Sequence, residues 1–270
     1  MKKLLISFIA ILFFICGFSL KALAAEEVID YQSLYNQAIE KGALDQNSVS
    51  FDLWLEQNKE FKKIYDDGKN SGFLNADFTY DEWLKANNYG QEPKDNPNFI
   101  SFDIKSPKAF AVKPGDIFIT NSTSSSGIVG HAAIANGSNY ILDMPGSKYN
   151  STSDNNMQRT VSKWISDYSD GWIKVYRLKD SALASRVARY ADTHYYSTTG
   201  SATKNIHIPY GLTQHLYQFS PSYCSKLVYN AYYYGSGSAP VVYERTGYVL
   251  PYGLIDTFTG NYYPTLVHQY

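Results

Sequence analysis

Ser220-Pro221-Ser222-Tyr223-Cys224-Ser225-Lys226-Leu227-Val228 places turn-forming residues directly before a thiol and an apolar run directly after it. Leu227, Val228 and Ala231 recur on one side at helical spacing and Gly235 supplies a stop, so the spacing predicts a helix over 222–234 with Cys224 in its first turn. The first N–H groups of a helix have no carbonyl partner within it. Together with the helix dipole they favour a thiolate over a thiol, whose ordinary pKa is about 8.5. The stretch therefore reads as a device that aims a reactive sulfur at a cleft. The plainer alternative is a buried cysteine acting as a small apolar residue.

Upstream, residues 116–120, 131–135, 140–143 and 172–178 are short β-rich runs. Turn signals part them at Pro114-Gly115, at 122–127, at Asn136-Gly137-Ser138 and at Ser169-Asp170-Gly171, which predicts a meander of antiparallel strands. A helix with Ser181 as its cap is expected through Tyr196, carrying Leu183, Val187 and Tyr190 at helical spacing. Residues 197–209 read as loop, and 240–270 as a tail that adds an edge strand or two.

Residues 31–88 read as helical and carry an internal repeat. Gly42-Ala43-Leu44 aligns with Gly72-Phe73-Leu74, and Asp52-Leu53-Trp54-Leu55 with Asp81-Glu82-Trp83-Leu84. Each copy reads as a short helix, a turn at the glycine, and a second helix bearing the tryptophan, with Thr79 and Glu82 as a capping box for the last. Two copies bury little alone, so this segment is expected to pack on the domain C-terminal to it or to bind a partner. Residues 88–98, rich in Asn, Gly, Pro and Asp, read as a linker.

The first 25 residues read as an export leader: Lys2 and Lys3, an apolar run from Leu4 to Leu20, then Ala22-Leu23-Ala24 as a small-x-small cleavage pattern. Retention as an anchor is the alternative. Ile15 before Cys16 does not suit lipid attachment to that cysteine. Loss of the leader takes away Cys16 and leaves Cys224 as one unpaired thiol in an oxidising compartment, where a leftover cysteine is a candidate for reactivity. It also shifts the net charge from −1 to about −4, against nucleic-acid binding.

A thiolate nucleophile needs a base, and His131, His194, His207, His215 and His268 are available. The order of segments resembles the YiiX/YebB-like branch of the NlpC-type hydrolases, a circularly permuted papain-like family. Lys113-Pro114-Gly115-Asp116-Ile117-Phe118, Gly130-His131-Ala132-Ala133-Ile134, Tyr140-Ile141-Leu142-Asp143, Ile208-Pro209-Tyr210-Gly211 and the Cys224 stretch carry the likeness, over about residues 109–255. It implies Cys224 as nucleophile, His131 as base, Asp143 as the residue orienting the imidazole, and Tyr210 beside the oxyanion. Relatives commonly hold a glutamate at the position of Asp143. Read without the resemblance, Asp143 caps a turn and Tyr210 fills core.

The fold expected is α+β: a circularly permuted papain-like domain over 101–270, its antiparallel sheet packed on helices, after a small helical repeat segment over 26–100. The function expected is a secreted or wall-associated cysteine hydrolase acting on cell-wall peptide or another acyl or amide substrate. No cofactor, no nucleic acid and no membrane beyond the leader are expected. His207 and His215 lie at a spacing unsuited to zinc. The rival readings are an enzyme that hydrolyses or transfers lipid acyl chains, and a binding module without turnover.

Overall fold

Turn glycines at 42 and 72 separate three helices, α1 (Tyr31–Glu40), α2 (Phe51–Asn70) and α3 (Tyr80–Ala86), in the computed structural model. It describes residues 28–93, 110–123 and 127–270. The leader over 1–25, linker residues 94–98 and turn residues 124–126 lie outside the described residues. The two sequence repeats share α2, which closes the first copy and opens the second. Trp54 and Trp83 are both fully buried, and Thr79 and Glu82 form the reciprocal capping box.

This segment is built into the rest of the chain. Leu34, Trp54 and Trp83 belong to the same apolar cluster as Leu227 and Cys224. Trp83 Nε1 donates to the Gly127 carbonyl at 2.9 Å, and the Gly127 N–H donates to the Ile64 carbonyl at 2.9 Å. Gly68 of α2 permits that approach, because a Cβ there would lie 2.6 Å from the Gly127 Cα. The linker expectation needs correction at 88–90, where a 3-10 turn buries Asn88 and Tyr89. Their burial follows from Trp54, whose Nε1 donates to the Tyr89 carbonyl at 3.1 Å.

The fold is α+β. Among the described residues six antiparallel strands stand in the order β4-β3-β2-β1-β5-β6: β1 (Ile117–Thr120), β2 (His131–Ala135), β3 (Tyr140–Asp143), β4 (Met157–Thr160), β5 (Ile173–Arg177) and β6 (Thr265–Gln269). A simple meander holds only from β1 to β4. β5 crosses back to pair with the far side of β1, and β6 from the tail covers it as the edge. β4 and the helix α4 (Val161–Asp167) depart from the sequence expectation, because the polar run 150–160 carries no apolar alternation.

Helices α5 (Ser181–Tyr195) and α6 (Cys224–Gly235) pack on each other and on β2. The cap of α5 is Asp180, one residue before the expected Ser181, since its carboxylate takes the Leu183 N–H at 2.9 Å. Strand alternation divides the sheet's contacts. Ile117, Ile119, Ala132 and Ile134 face α5 and α6, while Phe118, Ala133 and Ala135 face Trp164 of α4 and Tyr168 at its end. Both faces are therefore covered.

Gly130 opens β2 with φ +73, and a Cβ there would meet Thr120 O at 2.8 Å and Tyr252 Cε1 at 2.6 Å. Gly130→Ala combines left-handed strain with a backbone clash one residue before His131. It should cost about 2–4 kcal/mol of stability by denaturant midpoint, with a parallel loss of Cys224 reactivity.

Candidate active site

Cys224 is the first residue of α6, and it is buried. The turn that delivers it is braced by Lys226, whose buried ammonium donates to the carbonyls of His215 and Pro221, each at 2.9 Å. Burial pushes that ammonium down to about 8. The cap position of α6 is Tyr223, which makes no side-chain cap bond, whereas Asp30, Ser50, Thr79, Thr160 and Asp180 cap α1 to α5. The first-turn N–H groups of α6 are thus left to serve negative charge at its end.

His131, the first residue of β2, lines one cleft with Cys224, and its imidazole and the Ala132 N–H are near enough to the sulfur to favour its negative charge. Its Nε2 donates to Asp143 Oδ2 at 2.7 Å, leaving Nδ1 for the sulfur. The β2–β3 register explains why aspartate is long enough: Ala133 stands opposite Asp143, so the carboxylate and the imidazole are diagonal neighbours on one face. Structure thus brings Cys224, His131 and Asp143 together.

Asp143 is fully buried, and Oδ2 gathers two further donors, Trp164 Nε1 at 2.9 Å and Arg159 Nη2. Arg159 also donates to Asp167 Oδ2 at 2.9 Å, and its guanidinium lies over the rings of Tyr149 and Tyr168. Trp164 and Tyr168 stack against the imidazole at centroid distances of 6.1 and 5.0 Å. Outward from the thiolate the charges alternate: His131, Asp143, Arg159, Asp167, then Lys163 at the surface.

Burial opposes charge on each inner member, and the partners overcome it. Burial alone would raise the Cys224 thiol, but the His131 imidazolium and its hydrogen bond, then the Ala132 N–H, bring it below the ordinary value. Burial would lower His131, yet the Cys224 sulfur and then Asp143 raise it to about 9. Asp143 is held low against its burial by His131 and Arg159. Both shifts favour the thiolate–imidazolium form of the pair.

Reactivity should respond to pH in two ways. Alkylation of Cys224 by iodoacetamide should stay fast well below the ordinary thiol midpoint near 8.5, and fall only as pH drops through the lowered value. Acylation by substrate should fall again as pH rises through about 9, because His131 loses the proton that its leaving group needs. A single alkylation midpoint near 8.5 would remove the ion pair.

A cleft of about 460 Å³ opens on Cys224 and His131. Met144, Pro145 and Tyr210 form one side and Ile64 of α2 another, with Asp67 and Lys148 as further charged groups. Tyr210 pairs with Ser222 through a single bridge, and its ring lies beside Gly146, so it both packs and lines the cleft. His207 instead meets Asp154 at 2.9 Å, and His194 stacks on Tyr190.

Arg159 and Trp164 escape a reading of the sequence. Arg159 stands in a strand with no apolar alternation; the one local signal for the Trp164 helix is Thr160, whose hydroxyl takes the Lys163 N–H at its start.

The sequence model of a family described as lipoprotein N-acylation protein LnsA-like matches residues 87–270. An uncharacterized 30.3 kDa protein of Bacillus thuringiensis is 61% identical over 277 residues, covering the whole of both chains. No solved structure matches the chain.

Proposed function

This chain belongs to the lipoprotein N-acylation LnsA-like family, and from that premise we propose that it is a cysteine acyltransferase which carries a fatty acyl group as a thioester on Cys224 and delivers it to an amine. The observation that carries the reading is the meeting of Cys224 and His131 in one cleft, at the uncapped start of α6. The family supports the lipid-acyl alternative over cleavage of cell-wall peptides, and the cleft walls Ile64, Met144 and Pro145 suit an acyl chain.

In the first half-reaction the thiolate attacks the ester carbonyl of a glycerolipid. N–H groups at the start of α6 stabilise the oxyanion, the C–O bond breaks, and the His131 imidazolium protonates the departing alkoxide. In the second, an amine attacks the thioester, neutral His131 takes its proton, and the C–S bond breaks to restore the thiolate. Asp143 holds the imidazole for both steps, itself fixed by Arg159 and Trp164. Tyr210 lines the space where the acyl carbonyl sits.

Among the described residues no helix is long and apolar enough to cross a membrane. On this reading the chain, exported by its leader, works on substrates held at the membrane surface. Phosphatidylglycerol vesicles mixed with the protein should yield lysolipid and a mass increase of one acyl group on Cys224, both absent in Cys224→Ala. Release of muropeptides from purified sacculi, with no acyl adduct, would return the assignment to cell-wall hydrolysis.

A further inference from the structure

The cleft has walls of different origin. Met144, Pro145 and Tyr210 lie within the family match at 87–270, whereas Ile64 and Asp67 come from α2, outside it. α2 is held against the turn that leads into the His131 strand by the close approach of Gly68 to Gly127 and by the Gly127 N–H to Ile64. The backbone of α2 is thereby anchored four residues before His131.

Beside Cys224 and His131, the acidic and basic side chains lining this cleft among the described residues are Asp67 and Lys148. The Lys148 ammonium lies over the Tyr149 and Tyr168 rings, at 5.1 and 5.6 Å from their centroids. The Asp67 side chain is exposed and has no hydrogen-bond or ion-pair partner among the described residues. Hydrolysis of an acyl ester has no use for that carboxylate. It repels an anionic lipid and lies in the same cleft as a thiolate. An amine acceptor uses it well, since an α-amino group with an ordinary pKa of about 7.7–8.0 is largely an ammonium at neutral pH.

We propose that Asp67 is the acceptor-recognition residue: its carboxylate receives the ammonium of the lipoprotein amine and steers it to the thioester from the α2 side, while Lys148 repels that ammonium from the other. The proposal rests on the acyl-transfer reading. The bound ammonium releases one proton to water, and the amine nitrogen then attacks the Cys224 thioester carbonyl. His131 accepts the second proton, the C–S bond breaks, and an amide and the thiolate–imidazolium pair are left. The N-terminal helical segment thereby sets which nucleophile completes the reaction.

The test uses the full chain, phosphatidylglycerol vesicles as donor, and two competing nucleophiles: a lipopeptide with a free amino terminus, and hydroxylamine, which is uncharged at neutral pH. Asp67→Asn should raise the KM of the lipopeptide relative to that of hydroxylamine by roughly fivefold, the worth of one solvent-facing ion pair. Asp67→Lys should raise it further, on the order of 20-fold, as repulsion replaces attraction, and Asp67→Glu should recover most of the loss. In the unaltered protein added salt should raise the lipopeptide KM selectively, a readout that needs no variant to fold. A ratio unmoved by Asn and Lys, or moved alike by Asn and Glu, overturns the role of Asp67. If no thioester forms on Cys224, the acyl-transfer reading falls and this inference with it. A thioester that hydroxylamine intercepts, with the ratio unmoved, sinks the inference alone.

Discussion

Cys224→Ala is expected to lower acyl transfer by on the order of 10⁴-fold or more, because removal of a nucleophile leaves only binding and oxyanion stabilisation. Folding should survive. The side chain is small, and losing its sulfur from the core opens little volume, at a cost of about 1 kcal/mol. Cys224→Ser should be nearly as inactive, since a hydroxyl does not ionise beside His131 as a thiol does.

The same variant tests the electrostatics. The Cys224 sulfur is the largest influence that raises His131 against its burial, so Cys224→Ala should lower the imidazole from about 9, while Asp143 retains part of the rise. Titration of labelled histidine by NMR reads this directly. Loss of activity with an unmoved His131 would mean that sulfur and imidazole were never coupled, and that the alanine acted by disturbing α6.

What the sequence revealed, and what it hid, divides by the range of the interaction. The α6 start was legible because turn residues, thiol and apolar helix are neighbours in the chain. The capping box at Thr79 and the shared tryptophan repeats were equally local. The partition of the sheet was not: β5 pairs with β1 through a crossover, and only packing decides which edge a returning strand joins. Asp143 could be named from a motif, but its three donors on one oxygen come from β2, β4 and α4, whose meeting is tertiary. Arg159 illustrates the limit. A charged residue in a polar strand reads as surface, and it is buried only because a carboxylate, a second carboxylate and two aromatic rings converge on it.

Arg159→Met is the second large effect. It leaves the Asp143 carboxylate buried without its guanidinium, and breaking such a pair costs roughly 3–5 kcal/mol. It also removes one of the groups that hold Asp143 low, so its carboxyl should titrate higher and share its proton with His131. kcat should therefore fall by roughly 10²-fold at neutral pH and recover in part as pH rises, whereas a purely structural lesion gives no such pH-dependent recovery. Arg159→Lys should rescue little, because one ammonium does not span Asp143, Asp167 and the Tyr149 and Tyr168 faces as the planar guanidinium does. Adding Asp143→Asn to Arg159→Met should restore much of the stability, since no uncompensated charge stays buried, yet leave kcat low. Thermal unfolding and kcat measured on the single and double variants separate the two roles. Equal recovery of both in the double variant would make the Arg159–Asp143 pair a packing device and leave His131 oriented by Trp164 and Tyr168 alone.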